Sequence, residues 1–211
     1  MTPPKLGNYK FTPLILAILG LAYLLQLMRP ALAKVIQEKF GFDTHDFMFI
    51  TDITVITLLF WLYESWLWKI PVFNVLVEVP NISGRYEGRI EPTSEQGIPK
   101  RCTLEIEQSA SSLSVCCWFE KDDGTEPTAS TSEEATVYRK KNGNFEVSFQ
   151  YVNSGGGVKG SLDMHRGFNV LEVVQDESSR VLTGEYVNVR IPPSCGGMGV
   201  KLVSGKLKRK F

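Results

Sequence analysis

Two histidines, His45 and His165, and four cysteines, Cys102, Cys116, Cys117 and Cys195, are the side chains with which this chain could bind a transition metal or build a strong nucleophile. Their spacing suits neither use. The cysteines lack the paired geometry of a zinc ribbon, and two histidines are too few for an imidazole site. There is no nucleophile elbow, Walker A loop or zincin helix, so the sequence argues against an enzyme and implies no cofactor. The polar residues that remain suit a small, anionic, aromatic ligand. Tyr86, Tyr151 and Tyr186 offer ring faces on which bases can stack. Arg190 and His165 can pair with phosphate, and the hydroxyls of Ser130 and Ser132 can reach ribose or phosphate oxygens. Each has a plainer reading as well: buried aromatics for the tyrosines, an exposed polar edge strand for the serines, and a loop residue near Gly167 for His165.

Period-two alternation from Asn81 to the end is what would bring these residues together. Ile82, Gly84, Tyr86, Gly88 and Ile90 form one inward row. Cys102, Leu104, Ile106 and Gln108 form a second, and Leu113, Val115, Cys117 and Phe119 a third. A Ser/Thr-rich strand, TASTSEEATVYR, leads through Lys141-Asn142-Gly143-Asn144, a hairpin signal, into the aromatic strand with Phe145, Val147, Phe149 and Tyr151. The Gly155-Gly156-Gly157 run reads as a flexible connection, and three more strands follow it. Eight strands at this spacing predict an eight-stranded antiparallel up-and-down β-barrel, with a two-sheet sandwich as runner-up. Ser83-Gly84-Arg85-Tyr86 and Thr183-Gly184-Glu185-Tyr186 echo one another, as coiled barrel strands with an inward Tyr would. The face of Leu182, Gly184 and Tyr186 continues to Asn188 and Arg190, which puts a guanidinium inside or at the rim. A buried Arg is costly without an anion.

The strands form one predicted domain, 81–211. The chain carries 23 Lys and Arg against 23 Asp and Glu, a balance that excludes a nucleic-acid polymer as the expected partner. Residues 1–10 read as a tail, 11–70 as a membrane α-hairpin of two transmembrane helices, and 71–80 as a linker. The first apolar stretch, Phe11 to Met28, has no charge. The second, Phe47 to Trp68, contains Asp52 and Glu64 and ends in Trp61, Tyr63, Trp66 and Trp68, an interfacial aromatic cluster. The two carboxylates either snorkel to the interfaces or line a water-filled assembly. Ala17 and Gly20 on one helix, and Thr51, Thr54 and Thr57 on the other, offer faces for self-association. A secretory signal is the competing reading of the first stretch, with Ala31-Leu32-Ala33 as cleavage site, but a retained hairpin is simpler. Lys and Arg divide almost evenly between the ends and the connector. The unpatterned cysteines suit a reducing cytosol, so the N-terminus and the β-domain are expected on the cytoplasmic side. Lys206, Lys208, Arg209 and Lys210 read as a solvated tail or a contact with anionic headgroups.

Two apolar spans followed by ISGRYEGRI, CTLEIEQ, TASTSEEA, FEVSFQYVN, then HRG and LTGEYVNVR, give a chain that resembles the two-transmembrane, β-strand-rich effectors of bacterial cyclic-oligonucleotide-based antiphage signalling (CBASS). The resemblance implies an inner-membrane anchor carrying a β-barrel that binds a cyclic dinucleotide or oligonucleotide made by a partner nucleotidyltransferase. It further implies homo-oligomerisation, disruption of the inner-membrane lipid bilayer and abortive infection. The motif positions carried over are Gly84, Tyr86, Ser130, Ser132, Tyr151, His165, Gly167, Gly184, Tyr186 and Arg190. The chain departs from the family pattern at Ile82, where a Trp is usual, although an aliphatic side chain can also plug a barrel end. Two rival readings stand: a membrane-tethered, lipocalin-like carrier of an apolar ligand, and a filled barrel serving only as an interaction domain.

Overall fold

The computed structural model describes residues 6–41, 48–94, 97–124, 128–153, 164–175, 179–191 and 193–208. His45, Phe47, the Gly155-Gly156-Gly157 run, Arg209 and Lys210 lie outside them. The chain divides into two compact units.

The larger unit, Val79–Gln108 with Ser112–Phe211, is a closed eight-stranded barrel. Its strands are β1 (Gly84–Pro92), β2 (Lys100–Gln108), β3 (Leu113–Glu120), β4 (Thr128–Arg139), β5 (Phe145–Asn153), β6 (His165–Gln175), β7 (Arg180–Val189) and β8 (Ser194–Ser204). Each pairs antiparallel with its sequence neighbour, and β1 with β8 completes the ring. The inward rows are those of the alternation. Tyr86, Leu104, Ile106, Val115, Val137, Val147, Phe149, Leu171, Leu182 and Val200 are buried and fill the interior. The echoing glycines serve different needs. Gly84 sits at φ 145, which side chains rarely adopt, whereas a Cβ at Gly184 would meet the Val170 carbonyl of β6 at 2.0 Å.

Two departures from simple alternation matter for the site. A bulge between Ser132 and Glu134 shifts the phase of β4, so the inward residues are Thr128 and Ser130 before it and Ala135 and Val137 after it. β8 begins at Ser194, four residues before the sequence suggests, because Gly196 lets the strand lie against β1, where a Cβ would meet the Glu91 carbonyl at 2.1 Å.

One end of the barrel is sealed by Ile82, which is fully buried. Its N–H donates to Gln108 Oε1 at 2.7 Å, and its carbonyl accepts from Tyr86 Oη at 2.8 Å. Gln108 Nε2 in turn donates to the Pro80 carbonyl at 3.1 Å. The segment entering β1 is thus held by two barrel side chains that meet its backbone groups, as burial of peptide groups demands.

The second unit is helical, Lys5–Glu78 with Ser109–Ser111. α1 (Phe11–Phe40) has 30 residues and passes through Pro30, beyond the Met28 boundary expected from the apolar stretch. A proline removes one helical N–H, and a long apolar helix absorbs that loss. Gly41 ends it in the left-handed conformation, φ 69, its N–H donating to Gln37 O at 3.0 Å. α2 (Met48–Ser65) has 18 residues and stops short of the predicted Trp68, since Leu67–Lys69 turn into a 3-10 segment. Among the described residues one helix, Phe11–Lys39, is long and apolar enough to cross a membrane, where the sequence predicts two. α2 carries Asp52 and Glu64 and keeps Trp61 and Tyr63, whereas Trp66 and Trp68 lie beyond its end. Asp52 forms an ion pair with Arg29 of α1. Glu64 accepts from Tyr9 Oη, from Ser109 Oγ at 2.6 Å, from the Ser111 N–H at 2.9 Å and from Ser111 Oγ. Both carboxylates therefore have protein partners.

Candidate ligand cavity

Antiparallel order brings the ends of β1, β3, β5 and β7 to the same rim as the starts of β2, β4, β6 and β8, and there the barrel holds a cavity of about 580 Å³. That is within the usual range for small-molecule sites, ~300–1,000 Å³. Four of the seven residues expected to meet a ligand line it together: Tyr151, His165, Tyr186 and Arg190. Tyr151 is 5 % exposed and Tyr186 6 %, so each presents little more than an edge. Tyr151 lies over Gly167, its register partner, where a Cβ would come within 2.2 Å of the phenolic oxygen. Gly167 is therefore the floor on which that ring rests. Burial pushes the Tyr151 phenol well above its ordinary pKa, and the nearby Arg190 charge pulls the other way, so the hydroxyl stays protonated at neutral pH.

The other three have structural tasks outside the cavity wall. Tyr86 sits at the sealed end with its hydroxyl on Ile82. Ser132 Oγ accepts from the Val115 N–H at 2.9 Å, supplying a bond where the bulge carries β4 away from the β3 ladder. Ser130 is 2 % exposed and accepts from Asn153 Nδ2 at 2.9 Å, which fixes the amide of a residue that does line the cavity.

Several lining residues escape the sequence reading. Lys100 and Lys121 continue the inward rows of Cys102 and Phe119 by one more step, past the point where alternation of apolar residues gives out. Asn169 lies between Gly167 and Leu171 on the inward face of β6. Asn188, whose inward phase the sequence does show, accepts through Oδ1 from the Ser194 N–H at 3.1 Å and pins the β7–β8 turn across the rim. Phe119 and Ile90, members of the expected inward rows, supply apolar wall together with Pro92 and Met198.

The electrostatic balance is one-sided. Lys100, Lys121 and Arg190 line the cavity with His165, and among the described lining residues there is no carboxylate. Arg190, exposed at the rim, has no ion-pair partner among the described residues. Cations gathered on a low-dielectric wall focus a positive potential into the opening. Aromatic and apolar surface beneath a cationic rim can hold a molecule that is flat and apolar at one end and anionic at the other. Among the described residues no three His, Cys, Asp or Glu come together to hold a metal ion. Burial pushes the thiols of Cys102 and Cys117 far up, which keeps them protonated and unreactive.

No curated protein matches the chain. Residues 77–201, more than half of it, match the family model for the Cap15, cyclic dinucleotide receptor domain.

Proposed function

The chain belongs to the Cap15 cyclic dinucleotide receptor family of CBASS effectors, and from that premise we propose that the cationic cavity at the open end of its barrel is where the messenger binds. The observation that carries this is a lining that includes Lys100, Lys121 and Arg190 and, among the described residues, no carboxylate. A cyclic dinucleotide brings two phosphodiester charges and two planar bases. The cations suit the phosphates, and Tyr151, Tyr186 and Phe119 suit the bases. An apolar cargo of the lipocalin kind would set hydrocarbon against the Arg190 guanidinium, which has no ion-pair partner among the described residues, an unfavourable burial.

On this reading the barrel is the sensor, and the helical unit, with α1 in the inner membrane, is the output. Binding favours a self-associated form, provided the messenger has higher affinity for that form than for the resting one. Packed helices then breach the bilayer and the infected cell dies, with the messenger supplied by a partner nucleotidyltransferase. α2 acts as the second crossing, and the barrel faces the cytoplasm.

Titration of the full chain in detergent with cyclic di-AMP, cyclic di-GMP and cyclic GMP–AMP, followed by calorimetry at several salt concentrations, tests the assignment. At least one should bind, with affinity falling as salt rises. Arg190→Ala should weaken it about tenfold or more, the effect of losing a charge-assisted hydrogen bond, while leaving the melting temperature unchanged. Binding that is insensitive to both salt and Arg190 would refute the cavity assignment.

A further inference from the structure

Three asparagines occupy neighbouring strands of the cavity wall: Asn153 on β5, Asn169 on β6 and Asn188 on β7. Two are committed to the barrel. Asn153 donates to Ser130, and Asn188 accepts from the Ser194 N–H. Asn169 is different. It is 1 % exposed, and its Oδ1 is buried with no hydrogen-bond partner. Its register neighbours are Phe149 on β5 and Tyr186 on β7, and Leu171 follows on the same inward row.

In such surroundings an amide is a poor choice for packing alone. An unpaired buried acceptor destabilises the fold, and an apolar side chain of the same size would not. The exception is a site whose partner arrives from outside. The position also fits a division of labour. Asn169 lies four residues into β6 from His165 at the rim, roughly 13 Å along the strand at ~3.3 Å per residue and, with barrel strands tilted ~35–45°, a depth of about 10 Å. The cations sit at the rim, so an anionic end stays there and the opposite end of the ligand reaches the amide.

We infer that Asn169 is a specificity-determining residue that reads the hydrogen-bonding edge of a nucleobase at the bottom of the cavity. This inference rests on the cavity being the cyclic dinucleotide site. A planar amide pairs with an edge that offers an N–H donor beside an acceptor, and adenine, with its amino group next to a ring nitrogen, is the best-matched base. Tyr186, directly across the ladder from Asn169, is placed to pack against the plane of a base held there, since cross-strand partners on one face touch. The messenger thus enters base first, with its phosphates left to Lys100, Lys121 and Arg190.

The test uses the full chain in detergent, with cyclic di-AMP and a cyclic dinucleotide of unsubstituted purine, whose bases carry no N–H. The wild type should bind cyclic di-AMP about 10–100-fold more tightly than the purine analogue, the penalty for leaving a buried acceptor unpaired. Asn169→Leu should bind the two alike, at the weaker affinity, and melt at the same temperature as the wild type or higher. The wild-type comparison stands whether or not the variant folds. If the wild type binds cyclic di-AMP and the purine analogue equally, or if Asn169→Leu keeps the discrimination, this inference fails while the cavity assignment survives. If Asn169→Leu lowers the melting temperature, the amide is structural and the inference again fails alone. If the folded wild type binds neither compound nor any other cyclic dinucleotide tried, both fall.

Discussion

Tyr86 and Tyr186 occupy equivalent places in two echoing motifs, both point inward, and their environments differ. Tyr186 lines the cavity, while Tyr86 spends its hydroxyl on the carbonyl of Ile82 at the sealed end. Strand phase told which way each side chain points but not how deep it sits, because depth depends on where each strand crosses the barrel. Tyr86→Phe should destabilise by at least about 1–2 kcal/mol in urea unfolding, since it removes the bond to the Ile82 carbonyl and the one the hydroxyl makes with Arg180, and leave affinity for a cyclic dinucleotide unchanged. A drop in affinity would place Tyr86 in the ligand site after all. The same limit hid Asn169 and the two lysines. Apolar residues mark an inward row, and polar residues of the same phase beyond them carry no such mark. The hydroxyls of Ser130 and Ser132, which a sequence offers equally to ligand or protein, serve an asparagine and a backbone N–H.

At the scale of elements the strands were the legible part. All eight fall close to where alternation and turn residues put them, because each has one face toward the interior and one toward solvent. What escaped were features that alternation does not encode: the β4 bulge, and the early start of β8, masked by a Pro- and Gly-rich stretch that looks like a loop. The helices were less legible at their ends. Hydropathy marks where a chain is apolar, whereas helix boundaries follow hydrogen bonds, so α1 runs on through Pro30 to a glycine cap and α2 stops at Ser65. Glu64, one residue before that stop, is bonded by three side chains and a backbone N–H. Glu64→Leu strands Ser109, Ser111 and Tyr9 together. We expect it to destabilise the full chain in detergent by at least about 3 kcal/mol, since hydrogen bonds to a charged acceptor contribute about 1.5–3 kcal/mol each. A thermal unfolding curve matching the wild type would show that these bonds do not hold the helical unit together.

For the molecule taken whole, if the barrel senses and the helical unit acts as proposed, the two tasks lie on different units and should be separable by mutation. α1 exposes Leu16, Leu19, Tyr23 and Leu24 along its length, the surface a lipid-embedded helix presents. Leu19→Arg places a charge in its apolar stretch at a cost of about 2.5–3.5 kcal/mol for insertion. The variant should bind messenger as the wild type does, yet fail to release dye from liposomes when messenger is added. Retained release would mean that α1 is not the part that enters the bilayer. The barrel's geometry also bears on how long a response lasts. On the proposed reading, with Ile82 buried at the opposite end, a messenger held in the cavity enters and leaves past Lys100, Lys121 and Arg190, so substitutions there should alter dwell time as well as capture. The interval for which an activated chain outlives its messenger would then be set at that rim, and an infected cell that had destroyed the free messenger would stay committed until the last occupied barrels emptied.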